Sequence, residues 1–462
     1  MVWLGLAATT GTVTATFVQV FRGRLHPLSL PVLAAASFAF LYVWQPALLI
    51  ANRKVFYFLD EAGVAAGLAW PALSLLLLIL GWTAGARRQA PHAARGWDAD
   101  RLYASGLMLS AVGWAAFYAF LYQSGGAIAF YSSPHGAAGA WEEQTAWVYF
   151  GRYLSYPGLV LMLLGRVRGR RDPYWAAPIA IVVALNLIHA VLTGSRGTIF
   201  PLAVAVAFPP YLARRESPRL LSLVMGAGVL GLTVLLLVGY RAQLHLGERA
   251  AQVPRLAEAL LATSDVPDEG IRDLTTGVEF LYHAGIIETV DAYARYNLFA
   301  DLIHTLTVHP VPRLLWPSKP YYWNLGVTAD DVAERLGWRR ASGAAFGLVA
   351  DLYRQVGPVS VVLWWAAGFL GGRQFRRAAA GEDVETITLY CLAYGWSLHL
   401  FTQDFRSMLI PFAYVAVPAL AALRFARRPA DSRRPVRGGH EDWTSHVRPL
   451  SAPWKPAKAP RP

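Results

Sequence analysis

The chain has 462 residues, of which 55% are apolar and only 15% charged, with a mean hydropathy of +0.35. A soluble domain carries about 25% charged residues, so an ordinary water-soluble protein is excluded. The formal charge of +13 is broken into short clusters between apolar runs, with no nucleic-acid motif, so nucleic acid is not an expected partner.

The apolar runs are about 17–25 residues long, enough to cross ~30 Å of hydrocarbon as helix. They predict an all-α polytopic membrane protein with about eleven spans (ten to twelve), at 2–20, 27–50, 62–85, 102–122, 147–165, 174–193, 198–213, 220–239, 356–372, 384–401 and 409–425. No basic residue precedes the first run, and Arg22 and Arg24 follow it. It therefore reads as a retained helix with its amino end outside, not as a cleaved signal peptide.

With that orientation the inside connections hold Arg22 and Arg24, then Arg87, Arg88, Arg95 and Arg101, then Arg166, Arg168, Arg170 and Arg171. They continue with Arg214, Arg215 and Arg219, then Arg373, Arg376 and Arg377, then the tail. The short outside connections hold only Arg53, Lys54, Arg196 and Arg406. This alternation is the positive-inside pattern. The organisation expected is eight spans over 1–239, a large outer loop with short helices over 240–345, three spans over 346–425, and a disordered basic tail over 426–462. A loop of that length is usually functional. The spacings Gly63/Gly67 and Gly368/Gly372 fit close helix packing in lipid, and no internal repeat suggests a transporter built of inverted halves. Cys391, the single cysteine, lies in an apolar run, which excludes an intramolecular disulfide.

Charges that do not serve topology gather on the outer side. In "LTGSRGTIF", Gly194 ends one run while Ser195, Arg196, Gly197 and Thr198 open the next helix. A helix amino terminus offers unpaired amides to an anion, and an arginine there opposes the helix dipole unless an anion is present. Guanidinium also presents a planar fork suited to phosphate. The same letters are compatible with a glycine-rich turn and a snorkelling arginine. The stretch "HPVPRLLWPSKP", 309–320, has four prolines and carries Arg313 and Lys319 on a stiff path, or is a surface loop with membrane-anchoring Trp316. In "GLVADLYRQVGP", Asp351 and Arg354 are three apart and share a helix face, as a structural ion pair or as part of a polar cavity. "HLFTQDFRSML" places Asp404 and Arg406 at the outer surface.

Residues 277–296 form a helical stretch in which Glu279 and His283, and Asp291 and Arg295, stand four apart. Glu279 or His283 is a candidate general base, and solvated pairs are the plainer reading. Arg152, alone inside the fifth span, either joins an anion site or pairs with a carboxylate. His304 and His309 lack metal-ligand spacing, and no P-loop, G-x-S-x-G or H-E-x-x-H occurs, so neither metal nor cofactor is expected.

Taken together, "GSRG", "PRLLWPSKP", "FGLVADLYRQVG" and "DFRS", in that order on one side of a multi-span bundle, resemble the Wzy-type oligosaccharide repeat-unit polymerases of O-antigen and exopolysaccharide synthesis. The resemblance covers roughly 100–410. It implies a GT-C-like bundle in a bacterial cytoplasmic membrane with its site facing the periplasm or exterior. It also implies transfer of a growing glycan from undecaprenyl pyrophosphate to a hydroxyl of a second lipid-linked repeat unit, without metal or nucleotide. A flippase and a chain-length regulator are the protein partners this implies. Arg196, Ser195, Gly197, Arg313, Lys319, Arg354, Arg406 and Arg152 would bind the pyrophosphate, and Asp351, Glu279, His283 and Asp404 are the candidate bases. Two other readings are an O-antigen ligase-type transferase and, from a different class, a lipid-linked oligosaccharide flippase. The one-sided placement of the charges argues against the flippase.

Overall fold

The computed structural model of the protein describes residues 1–87, 96–132, 146–169, 173–193, 196–218, 278–308, 325–337, 347–381 and 383–427, with a few isolated positions between them. In chain order the helices are α1 (Val2–Phe21), α2 (Leu30–Ala51), α3 (Glu61–Arg87), α4 (Ala99–Gln123), α5 (Ser155–Arg168), α6 (Ala176–Thr193) and α7 (Arg196–Arg214). They continue with α8 (Val278–Tyr293), α9 (Ala300–Thr307), α10 (Ala329–Arg335), α11 (Gly347–Val356), α12 (Ser360–Ala379), α13 (Val384–Thr402) and α14 (Phe405–Ala426). Among the described residues β pairing is confined to an isolated bridge between Trp97 and Arg427.

Seven of these helices, α1 to α4, α6, α7 and α14, are long and apolar enough to cross a membrane. The helices α12 and α13 reach the same length with less apolar faces, and α5 extends a helix at Ala146–Phe150 through a 3₁₀ turn at Gly151–Leu154. The span expected at 220–239 and nearly all of the tail fall outside the described residues.

The connections assigned to the inside by charge meet at one end of the bundle. The Tyr390 hydroxyl donates to the Leu28 carbonyl at 2.6 Å, Arg168 to Gly381 at 2.7 Å and Arg376 to Ala86 at 2.6 Å. The Asp98 amide reaches the Ala426 carbonyl at 3.1 Å. At the other end, the described turn before α14 is tied to α11, where Asp351 accepts from the Phe405 amide at 3.0 Å.

Small residues set the packing. Along α3 and α12, a Cβ on Gly81, Gly85, Gly368 or Gly372 would overlap a backbone carbonyl of the facing helix. These helices therefore touch backbone to backbone, the contact small residues permit in lipid. On the other face of α3, a Cβ on Gly67 would stand 2.5 Å from the Ala284 Cβ. That partner belongs to α8, which is fully buried from Phe280 to Ala284 and exposed only at its end, from Asp291 to Tyr293. Ile286, Ile287 and Val290 are buried as well, so most of this helix of the large loop packs in the core and not on the outer surface.

Within α2 the segment Ala39–Trp44 widens to a π-helix just before Pro46. Proline lacks an N–H and its ring crowds the carbonyl four residues back, here Tyr42, and the extra residue of a π turn relieves the clash. Tyr42 stacks on His283 of α8 at 4.6 Å, and Gln45 reaches Glu279 at 3.0 Å.

Candidate anion-binding site

The 3₁₀ turn Gly151–Leu154 carries Arg152 into the protein, where it is 2% exposed. Its Nη2 donates to the hydroxyls of Tyr149 at 3.1 Å and Tyr153 at 3.4 Å. Its guanidinium carbon lies 4.5 Å from the Tyr153 ring centre, 5.0 Å from Tyr149 and 5.9 Å from Phe117. The other nitrogens, Nε and Nη1, are buried with no hydrogen-bond partner among the described residues. No carboxylate among the described residues pairs with it. Aromatic faces return about 2 kcal/mol to a desolvated cation, whereas removing the charge from water costs several. Of the two readings open to Arg152, the carboxylate partner is absent among the described residues, and the vacant donors suit an anion.

Neutral groups complete the cage. From α6, His189 places Nδ1 3.0 Å from the Tyr131 hydroxyl and leaves Nε2 buried and without a hydrogen-bond partner among the described residues. Ser155, which opens α5, sets its hydroxyl 2.7 Å from the Arg152 carbonyl and 3.1 Å from Asn186 Oδ1.

The cage adjoins the first of two helix amino termini that begin with an arginine. The Tyr156 hydroxyl donates to the Thr198 carbonyl in the first turn of α7 at 3.2 Å. Trp396 of α13 packs on Tyr153 at 5.0 Å and on His399 at 5.2 Å. A Cβ on Gly197 would stand 2.7 Å from His399 Nε2, so glycine lets α7 start against that imidazole. Arg196 opens α7, but its side chain, like Ser195, falls outside the described residues.

The second amino terminus is that of α14. Asp404 caps it, Oδ1 accepting from the Ser407 amide at 2.6 Å, and Asp351 Oδ2 accepts from the Phe405 amide at 3.0 Å. Arg406 follows in the first turn, half-buried, with no hydrogen-bond or ion-pair partner among the described residues. Both helices therefore begin with an arginine where their dipoles disfavour a cation.

Asp351 and Arg354 meet as their spacing requires, at 3.2 Å. Arg354 is also paired with Asp301 of α9, and Gln355 contacts both Asp351 and the Phe299 amide. The network straps the chain at 297–301 to α11. Burial pushes the Asp351 carboxyl above its ordinary pKa, and the Arg354 guanidinium pulls part of the way back. A carboxyl raised in the folded state holds its proton more tightly there than in the unfolded chain. Its contribution to stability is complete below the unfolded value of ~3.9 and is lost as pH rises through the higher folded value. Asp351→Asn, which cannot ionise, is expected to flatten that loss in thermal unfolding measured at pH 4 and upward. An unchanged slope would contradict the assignment.

The remaining candidates are placed as follows. Glu279 is half-buried, with Gln45 as its hydrogen-bond partner among the described residues. His283 is fully buried beside Tyr42, its Nε2 3.0 Å from the Gly67 carbonyl, so this helix pair is directed at other elements instead of at each other. Asp291 accepts from the Tyr353 hydroxyl at 2.6 Å, and Arg295 lies over Tyr293. Lys319 donates to the Val311 carbonyl at 2.7 Å, and His304 holds the Pro320 carbonyl at 2.9 Å, which fastens this turn to α9. Arg313 and His309 lie outside the described residues. The sequence reading did not single out His189, His399 or the tyrosines around Arg152; the run "WVYFGRYLSY" at 147–156 was the available signal. Among the described residues no three His, Cys, Asp or Glu are grouped to hold a metal.

No family model matches this chain, and neither the curated proteins nor the solved structures give a match.

Proposed function

We propose that the protein is a membrane glycosyltransferase of the repeat-unit polymerase type. It would move a glycan from undecaprenyl pyrophosphate to a hydroxyl of another lipid-linked oligosaccharide at the outer face of a bacterial cytoplasmic membrane. The observation that carries the reading is Arg152, a buried guanidinium with two vacant nitrogens and no carboxylate partner among the described residues. It stands beside the start of α7, where Arg196 lies, and on this reading Arg406 at the start of α14 faces the same leaving group. Such a group of cations favours a dianionic leaving group, and donors fixed in advance stabilise charge as it develops on the departing pyrophosphate. On this reading α5, α12, α13 and the segment at 220–239 complete an eleven-span, GT-C-like bundle.

Among the carboxylates, Asp404 is occupied as a helix cap and Asp351 by three donors, one of them the Phe405 amide. Glu279, held by one amide, is the base this arrangement leaves for the acceptor hydroxyl. A positioned base contributes about 10²–10⁴-fold, so Glu279→Gln is expected to reduce turnover of lipid-linked oligosaccharide by at least 100-fold. Asp404→Asn, which caps a helix as well as aspartate does, is expected to stay within about threefold. The reverse order of effects, measured in proteoliposomes, would move the base to Asp404.

A further inference from the structure

A cavity of about 440 Å³ lies between α2, α12 and α13, toward the end of the bundle that the charge rule assigns to the cytoplasm. Its walls include Leu30, Leu370, Ala393 and Tyr394, and Arg373 and Arg377 line it near the end of α12. The size is that of a ligand site. Leu370 is 62% exposed, so the cavity opens sideways where the surrounding medium is hydrocarbon.

The charges at this end do not balance. Of the three arginines closing α12, Arg376 donates to the Ala86 carbonyl. Arg373 has no hydrogen-bond or ion-pair partner among the described residues, and Arg377 keeps a buried Nε without one. The described carboxylates nearby are engaged: Asp383 caps α13, and Glu385 pairs with Arg427 at 2.6 Å. The positive-inside rule explains arginines at this end, but not two of them on the wall of an apolar cavity.

We propose that this cavity binds an anionic glycerophospholipid of the inner leaflet, its phosphate on Arg373 and Arg377 and one acyl chain along Leu30, Leu370 and Ala393. A lipid fits better than a free anion because the opening faces hydrocarbon and the wall beyond the arginines, Gln374 and Ser397 apart, is aliphatic or aromatic. Inner leaflets supply anionic headgroups at this depth. The inference is independent of the proposed glycosyl transfer, which concerns the opposite end of the bundle.

The test is native mass spectrometry of the full-length protein released from nanodiscs of phosphatidylglycerol or of phosphatidylcholine. A parallel measurement follows thermal unfolding of detergent-solubilised protein with each lipid or with inorganic phosphate. One tightly retained phosphatidylglycerol is expected, with a thermal upshift that neither phosphatidylcholine nor phosphate reproduces. The double variant Arg373→Gln/Arg377→Gln should weaken retention about tenfold or more, and Ala393→Phe should displace the chain with both arginines intact. Equal retention of phosphatidylcholine, an equal upshift with phosphate, or unaltered retention in both variants would overturn the proposal. The wild-type lipid comparison decides the matter even if a variant fails to fold.

Discussion

Arg152→Met is expected to leave the stability of the ligand-free protein nearly unchanged while abolishing its affinity for a pyrophosphate-bearing ligand. The guanidinium is 2% exposed, and two of its nitrogens meet no acceptor among the described residues. Replacing a buried ionic group by an apolar one of similar volume is often neutral or stabilising by 1–4 kcal/mol. Here the offsetting losses are the contacts with the Tyr149 and Tyr153 hydroxyls and rings. The hydroxyl contacts are worth about 1.5–3 kcal/mol when one member is charged. Set against each other, the gain and these losses leave the methionine variant within about 3 kcal/mol of the parent in stability. The anion, by contrast, loses a bidentate donor that nothing nearby replaces. Arg152→Lys keeps the charge and loses the fork, so its affinity should fall between the two. Thermal unfolding and titration with undecaprenyl pyrophosphate, on the same purified samples, separate the effects. A methionine variant several kcal/mol less stable would show that the guanidinium is a satisfied structural group.

The second large effect is expected from one methyl group. In Gly368→Ala the new Cβ would overlap the Leu78 carbonyl oxygen. A backbone atom cannot rotate away, so α3 and α12 must separate along a seam that also depends on Gly81, Gly85 and Gly372. Overpacking costs typically 1–3 kcal/mol and more where backbones must shift, and this site belongs at the upper end. Gly11→Ala in α1 is the control: nothing lies within 4 Å of a Cβ there, and alanine favours helix by about 1 kcal/mol. Size-exclusion profiles and unfolding midpoints should show loss of monodisperse protein for Gly368→Ala and none for Gly11→Ala. Equal behaviour of the two would mean that the helices of this seam are not in backbone contact.

The helix positions were legible because length and apolarity alone define a run that can cross hydrocarbon. The expected 102–122 lies within Ala99–Gln123, and 2–20 is Val2–Phe21. The Asp351–Arg354 pair followed from a spacing of three. Its second acid, Asp301, lies about fifty residues away along the chain and leaves no local trace. The burial of α8 was hidden because Glu279 and His283 read as a polar face, whereas their partners, Gln45 and the Gly67 carbonyl, come from α2 and α3. The meaning of Arg152 was open for the same reason, since no local pattern tells whether a distant carboxylate folds onto a buried arginine. His189 and His399 stand singly in apolar runs, where spacing carries no signal.

The central claim, a cation site that holds a lipid pyrophosphate during glycan transfer, is tested most directly in one assay. Purified protein in liposomes is given a synthetic undecaprenyl-pyrophosphate oligosaccharide and no nucleotide, and the products are resolved on a gel. The account predicts a ladder of repeat units with release of undecaprenyl pyrophosphate, lost in Arg152→Met. Intact substrate with no ladder, or substrate moved across the bilayer of sealed vesicles without new glycosidic bonds, would contradict it.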